Sequence, residues 1–220
     1  MGDLNHIRVI KRVFSLLEEE LKEKNRQTML DELKNSTPFH APFQILAAAM
    51  LSSRTKDTTT LPVVKKLFAK YPHPHDFVGL DVQKLEKMLY GLGFYKIKAA
   101  NLKKLSKIIV EQYKGDVPAS LPELISLPGV GRKTANCVLA YAFNKPAIAV
   151  DVHVHRIANR LGWVKTDSPE KTEEELKKII PREMWRKVNR LFVAHGQNLC
   201  FPLNPKCASC PVEKYCKKKL

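Results

Sequence analysis

The chain has 220 residues, of which 44% are hydrophobic and 27% charged, and its formal net charge is +16. This length and apolar content can bury the core of one large or two small domains, which excludes a disordered tail and a disulfide-stapled miniprotein. The charge predicts a polyanionic partner such as nucleic acid, or an anionic membrane surface. All of the excess lies after residue 50, because residues 1–50 carry seven basic and seven acidic side chains.

The sequence shows no segment for export or membrane insertion. Its first residues carry mixed charge, and no apolar stretch approaches the roughly 18 residues that a membrane span needs. We therefore expect a protein inside the cell, in the cytoplasm or nucleoid or in a nucleus, and neither secreted nor bound to a membrane. We also expect a monomer.

Apolar residues recur at helical spacing along most of the chain, and the alternation typical of strands is absent. Pro42 opens a helix whose residues 43–51 are almost uniformly apolar, so we expect that helix to be buried on all sides. Asp57 is predicted to cap the next helix. Further helical runs are separated by Gly or Pro turns, which gives about ten helices and an all-α fold.

Residues 127–135 read LPGVGRKTA and separate a short apolar segment from a helix that begins near Arg132. Gly129 and Gly131 allow a tight turn and close approach to another object, because they lack a Cβ. The unpaired N–H groups at the start of the following helix attract a phosphate. A helix corner without any ligand explains the local pattern equally well.

Lys133 lies in the first turn of that helix, where the helix dipole and the neighbouring Arg132 both disfavour a charged amine. An amine held in this way can form a Schiff base, although a simple phosphate contact is the alternative. Asp151 follows an apolar run and heads another helix, which favours its ionised form, although most such residues are only N-caps. Together, the amine and the carboxylate suit cleavage of an N-glycosidic bond, in which the sugar becomes oxocarbenium-like.

Four of the five cysteines fall within seventeen residues, separated by six, two and five residues: Cys200, Cys207, Cys210 and Cys216. Such clustering indicates a metal site in place of a disulfide framework. Four thiolates serve a tetrahedral zinc ion and an iron–sulfur cluster alike, so the spacing leaves both open. The fifth, Cys137, is predicted to be a small buried apolar residue.

Six motifs between about Pro42 and Cys216 resemble, in order, those of the endonuclease III family of helix-hairpin-helix DNA glycosylases. They are LSSRTKD, GLGFYKIKA, LPGVGRKTAN, IAVDVHVHRIANRL, the His195–Gly196 pair and the cysteine group. The resemblance implies a bifunctional DNA glycosylase and AP lyase of base excision repair, acting on oxidised pyrimidines or abasic sites in double-stranded DNA. It implies that Lys133 attacks C1′, that Asp151 is the catalytic carboxylate, and that β-elimination cleaves the strand 3′ to the abasic site.

The resemblance also implies a [4Fe–4S] cluster on the four grouped cysteines and a set of DNA contacts. The implied contacts are Gly129, Val130, Gly131, Arg132, Thr134, Arg54 and Phe94. The chain departs from the bacterial pattern at Arg54, where glutamine is usual, at Phe94, where a leucine wedge is usual, and at Val152, where threonine is usual. An aromatic side chain can still fill the gap left by an extruded base, whereas Arg54 leaves the opposite-base preference open.

Related glycosylases differ at the candidate catalytic positions. Mismatch-thymine glycosylases carry tyrosine where Lys133 stands, and adenine glycosylases usually carry serine there and a glutamate near the position of Ala48. Both differences favour the bifunctional enzyme. A related glycosylase of mismatch or uracil specificity remains an alternative, as does a non-catalytic helix-hairpin-helix DNA-binding module with a zinc site.

The predicted architecture has two lobes, with DNA in the cleft between them. Residues 35–145 form a six-helix lobe that contains the helix-hairpin-helix motif at about 121–143. Residues 1–34 and 146–220 form the iron–sulfur lobe, whose cluster loop is 200–216.

Overall fold

The computed structural model describes residues 2–35 and 42–218, and this part of the chain consists of α-helices, three short 3-10 helices and loops, with no strand. The predicted all-α class is confirmed. The helices are α1 (Gly2–Glu23), α2 (Met29–Asn35), α3 (Pro42–Leu51), α4 (Asp57–Lys70), α5 (Pro74–Val78), α6 (Val82–Met88), α7 (Tyr95–Tyr113), α8 (Leu121–Ser126), α9 (Arg132–Tyr141), α10 (Val152–Leu161), α11 (Pro169–Ile179) and α12 (Trp185–Asn198).

The chain divides into two compact units, Met29–Lys145 and Met1–Thr28 with Pro146–Leu220. The predicted boundary near residue 35 puts residues 29–34 in the other lobe. In the structure, α2 packs against α3 and α4, so these residues belong with the helices that follow them. The described residues of Met29–Lys145 form eight helices, α2 to α9.

Helix α3 lies at the centre of the Met29–Lys145 unit. Every residue from Phe43 to Leu51 is buried, which confirms the prediction from its uniformly apolar sequence. It packs against α9, α4, α2 and α7, and α8 packs against α9. At the next helix the prediction was wrong in detail: α4 begins at Asp57 itself, its N-cap is Lys56, and no side chain caps it.

The core of the other unit is built around three aromatic rings. Phe14 of α1, Trp163 and Phe192 of α12 are buried, with ring centroids 5.6–6.1 Å apart. Helix α12 packs against α10 and α1, and α10 also packs against α11. Burial of three large rings in mutual contact fixes how α1 and α12 sit in this unit, because aromatic pairs contribute more than their buried area alone. The segment that bears the four cysteines follows α12.

Candidate functional site

The turn between α8 and α9 depends on one glycine for its shape and leaves the other in open space. Gly129 has a φ of +76°, and a Cβ added there would lie 2.9 Å from both Asn101 Nδ2 and Met50 Sδ. Only glycine therefore fits at this position. Gly131 has an ordinary φ of −89°, and a Cβ there would meet nothing within 4 Å. The protein itself does not require glycine at 131, so that position is open to an object from outside.

The N-terminus of α9 carries no side-chain cap, and Gly131 occupies the N-cap position. The first N–H groups of a helix have no acceptor within it and form the positive end of its dipole. Arg132 is exposed and Lys133 is half-buried. The side chains of Val130 and Thr134, two of the predicted contacts, are buried, and the Val130 N–H donates to Leu127 O at 3.1 Å. Neither side chain is therefore exposed toward an outside ligand, and the Val130 N–H already has an acceptor.

Lys133 is held on a rigid element. The residues that follow it in α9, from Thr134 to Tyr141, are all buried, and the helix packs against both α3 and α8. Cys137 is among them and is fully buried, which confirms its prediction as a core residue. The amine therefore projects from the first turn of a helix whose remaining length is fixed in the core.

Asp151 is the N-cap of α10. Its Oδ1 accepts hydrogen bonds from His153 N at 3.0 Å and Val154 N at 2.9 Å, and no hydrogen bond within the described part of the chain uses Oδ2. The loop before it is anchored because Asn189 of α12 donates to Ala149 O at 2.9 Å. The carboxylate is thus oriented by its own helix through one oxygen, while the other oxygen remains available for a ligand.

Two arginines of α10 support the chain that carries the first cysteine, and the sequence analysis did not identify them. The Arg156 guanidinium donates to Cys200 O at 2.8 Å. The Arg160 guanidinium donates to Phe201 O at 2.6 Å and to Pro202 O at 2.8 Å. Arg160 is buried, and such fork-shaped donors suit several carbonyl acceptors at once. Their spacing of four residues places both on one face of α10, which was the only signal in the sequence.

All four grouped cysteines are half-buried, form no disulfide and line one cavity together with Arg160 and His195. Cys210 Sγ lies 3.7 Å from His195 Nε2. Short turns hold the segment: Cys210 N donates to Cys207 O at 3.0 Å, and Cys216 N donates to Glu213 O at 3.1 Å. The structure therefore brings the four predicted metal ligands to a common site.

Burial disfavours ionisation of two thiols of this cavity, those of Cys210 and Cys216. Burial raises the pKa of Cys210 to about 11, and the negative charges of the other three cysteines contribute in the same direction. Burial also raises the pKa of Cys216. Among the described residues, no group of three or more His, Cys, Asp or Glu side chains is placed so that it could hold a single metal ion. A donor set of four cysteines around a shared cavity fits a polynuclear iron–sulfur cluster, which also accepts four thiolates.

Arg54 and Phe94, the remaining predicted contacts, lie together in the Met29–Lys145 unit. The Arg54 guanidinium carbon is 5.4 Å from the centroid of the Phe94 ring. Both residues have left-handed backbone, with φ of 53° and 59°, which is rare for residues with a Cβ. The Phe94 side chain is 56% exposed, so it is not a core aromatic.

Comparison with known proteins defines the class of this molecule. Residues 47–182 match the HhH-GPD superfamily of base excision DNA repair proteins. The chain belongs to that superfamily, and none of its helices within residues 2–35 and 42–218 is long and apolar enough to cross a membrane.

Several of the proteins to which the chain is similar are endonucleases III. The chain is 48% identical over 176 residues to endonuclease III of Thermotoga maritima, covering 80% of this chain and 83% of that protein. A solved non-covalent endonuclease III–DNA complex matches with a TM-score of 0.82 and 38% identity, over 94% of this chain and 95% of the other. A trapped covalent endonuclease III–DNA intermediate matches with a TM-score of 0.77 and 40% identity, over 86% and 92%. The family predicted from the sequence motifs is confirmed.

Proposed function

We propose that this chain acts in base excision repair as a bifunctional DNA glycosylase and AP lyase, with oxidised pyrimidines as its damaged bases. The observation that carries the proposal is the lysine amine in the first turn of α9, directly after a hairpin whose Gly131 faces open space. The trapped covalent DNA intermediate of a 40% identical structure supports chemistry through a protein nucleophile.

Lys133 is the proposed nucleophile. Its neutral Nζ attacks C1′ of the damaged nucleotide, the N-glycosidic bond breaks, and the base leaves with the bonding electrons and takes up a proton. Opening of the sugar between C1′ and O4′ gives an imine between C1′ and Nζ. Loss of a C2′ proton then expels the 3′ phosphate, and water releases the unsaturated aldehyde from the lysine.

Asp151 and the hairpin have supporting parts in this proposal. The Asp151 carboxylate, oriented through Oδ1 by the start of α10, offers Oδ2 to the positive charge that develops on the sugar. The positive end of the α9 dipole and the open position at Gly131 favour a phosphate of double-stranded DNA at this turn. Arg54 and Phe94 fill the space of the extruded nucleotide.

Cys200, Cys207, Cys210 and Cys216 are the proposed ligands of a [4Fe–4S] cluster. When bound, the cluster supplies a positively charged core that holds four thiolates together and so folds the segment after α12. Lys206 and Lys218 lie beside the same cavity, and with Lys214 and Lys217 they make this segment basic. We propose that this basic segment binds the DNA backbone. The proposed protein acts as a monomer inside the cell.

Borohydride trapping tests the reaction. Wild-type protein with a duplex that contains thymine glycol should give a covalent protein–DNA adduct, because borohydride reduces the imine. Lys133→Gln should lose the adduct and keep its affinity for a duplex with a tetrahydrofuran abasic analogue. The control is Lys171→Gln, which removes an exposed lysine of α11 paired with Asp167. A folded wild type that gives no adduct, or an adduct that persists in Lys133→Gln, would contradict the proposal.

A further inference from the structure

The hydroxyl of Thr55 joins the loop after α3 to the loop before α7. Thr55 Oγ1 accepts hydrogen bonds from Gly93 N at 3.1 Å and from Lys98 Nζ at 2.8 Å, and it donates to Ser53 O at 3.4 Å. A hydroxyl has one donor and two acceptor positions, so all of its hydrogen-bonding capacity is used. We refer to Thr55, Gly93 and Lys98 as the brace.

The two loops approach each other too closely for a side chain at position 93. A Cβ added to Gly93 would lie 2.9 Å from Arg54 O and 3.3 Å from Thr55 Oγ1. Lys98 is only 5% exposed, although lysine is rarely buried without a partner. Burial lowers the pKa of Lys98, because it disfavours the charged ammonium form. The hydrogen bond from Lys98 Nζ to Thr55 Oγ1 is made in spite of that cost.

The brace directly adjoins two residues in an unfavourable conformation. Arg54 precedes Thr55 and Phe94 follows Gly93, and both Arg54 and Phe94 have the left-handed backbone that costs free energy when a Cβ is present. Such a conformation persists only where its surroundings impose it. The hydrogen bonds of Thr55 to Gly93 and Lys98 supply that constraint, and the result is an exposed pair with Arg54 over the Phe94 ring.

We propose that Thr55 and Lys98 are positioning residues that preform the Arg54–Phe94 pair for insertion into the gap left by an extruded nucleotide. The proposal rests on the proposed function and adds how the inserting residues are held. A preformed pair loses little conformational freedom when it enters DNA. Loosening the brace should therefore slow reactions that need extrusion from a base pair and spare reactions that do not.

The test compares two substrates in one set of variants. Thr55→Val keeps the shape of the side chain and removes the hydroxyl, whereas Thr55→Ser retains it. We expect Thr55→Val to excise thymine glycol from duplex DNA about tenfold more slowly, a change equivalent to about 1.4 kcal/mol. We expect it to cleave an abasic site in single-stranded DNA within about twofold of wild type, because this substrate needs no extrusion from a base pair. Thr55→Ser should restore duplex excision, and Thr59→Val, at an exposed position of α4, is the matched control.

A second variant and a spectroscopic measurement separate positioning from folding. Lys98→Met keeps the apolar stem, removes the donor and should show the same difference between substrates. Fluorescence of 2-aminopurine placed opposite a tetrahydrofuran site should rise on wild-type binding, as the base is unstacked, and rise less with Thr55→Val.

Duplex excision by both variants at the wild-type rate, or equal losses on both substrates, would overturn the brace proposal. A wild type that forms no borohydride adduct would instead overturn the proposed function.

Discussion

Replacement of Gly129 by alanine tests whether the hairpin turn has the shape that the structure shows. The left-handed φ of +76° costs a residue with a Cβ roughly 1–2 kcal/mol. The new Cβ would lie 2.9 Å from Asn101 Nδ2 and Met50 Sδ, and such overpacking costs about 1–3 kcal/mol. We therefore expect Gly129→Ala to lower the free energy of unfolding by about 2–5 kcal/mol. For a chain of 220 residues this corresponds to a fall in Tm of about 4–20 °C.

Gly131→Ala is the matched control for the same turn. Its φ is −89° and the added Cβ would meet nothing within 4 Å, so the free energy of unfolding should change by less than about 0.5 kcal/mol. Its affinity for a duplex with a tetrahydrofuran site should nevertheless fall, because the methyl group would keep a phosphate away from the start of α9. Thermal and urea unfolding followed by circular dichroism, together with a binding titration, measure both quantities.

Removal of the Asn101 amide separates the two costs at Gly129. The double variant Gly129→Ala/Asn101→Ala should recover part of the lost stability, because one of the two clashing groups is gone while the backbone strain remains. The reasoning fails if Gly129→Ala unfolds at the wild-type temperature, or if Gly131→Ala is destabilised as much as Gly129→Ala.

Three further predictions concern other parts of the site. The free energy of unfolding of Asp151→Asn should lie within about 0.5 kcal/mol of the wild-type value, because asparagine also caps helices, while its rate of base excision should fall by about two orders of magnitude or more. Asp151→Ala should lose the same activity and, in addition, about 1 kcal/mol of the free energy of unfolding. The free energy of unfolding of Phe94→Gly should lie within about 1 kcal/mol of the wild-type value, because glycine fits the φ of 59° and the ring is 56% exposed. The variant should nevertheless excise a paired lesion at least about tenfold more slowly. Cys210→Ala should lose iron, sulfide and visible absorbance, whereas Cys137→Ala should retain them and lose only core packing; equal iron content in the two variants would refute the assignment of ligands.

The sequence predicted the parts of this protein that are encoded locally. The helix-hairpin-helix motif, the lysine after it and the aspartate before α10 are contiguous patterns, so their place at helix starts follows from glycine, capping and dipole rules. The burial of α3 follows from its composition alone. The same local rules failed at Asp57, because the helix begins one residue earlier than the best capping residue would place it.

The sequence could not distinguish residues of one type by their environment. Gly129 and Gly131 look alike in LPGVGRKTA, and only the neighbours Asn101 and Met50 show that the first is required by packing and the second is not. Likewise, Arg160 resembles a surface residue until the carbonyl groups that surround it are seen.

By itself, the sequence determined the fold class, the family motifs and the residues able to carry the chemistry, because helix periodicity, turn residues and ligand types are properties of short segments. Only the tertiary structure decided which residues hold the site in place. The hydroxyl of Thr55 meets Gly93 and Lys98 across about forty residues of chain, and the arginines of α10 meet the cysteine segment across a similar separation. Such contacts depend on how helices pack, and packing is not written in the spacing of any one segment.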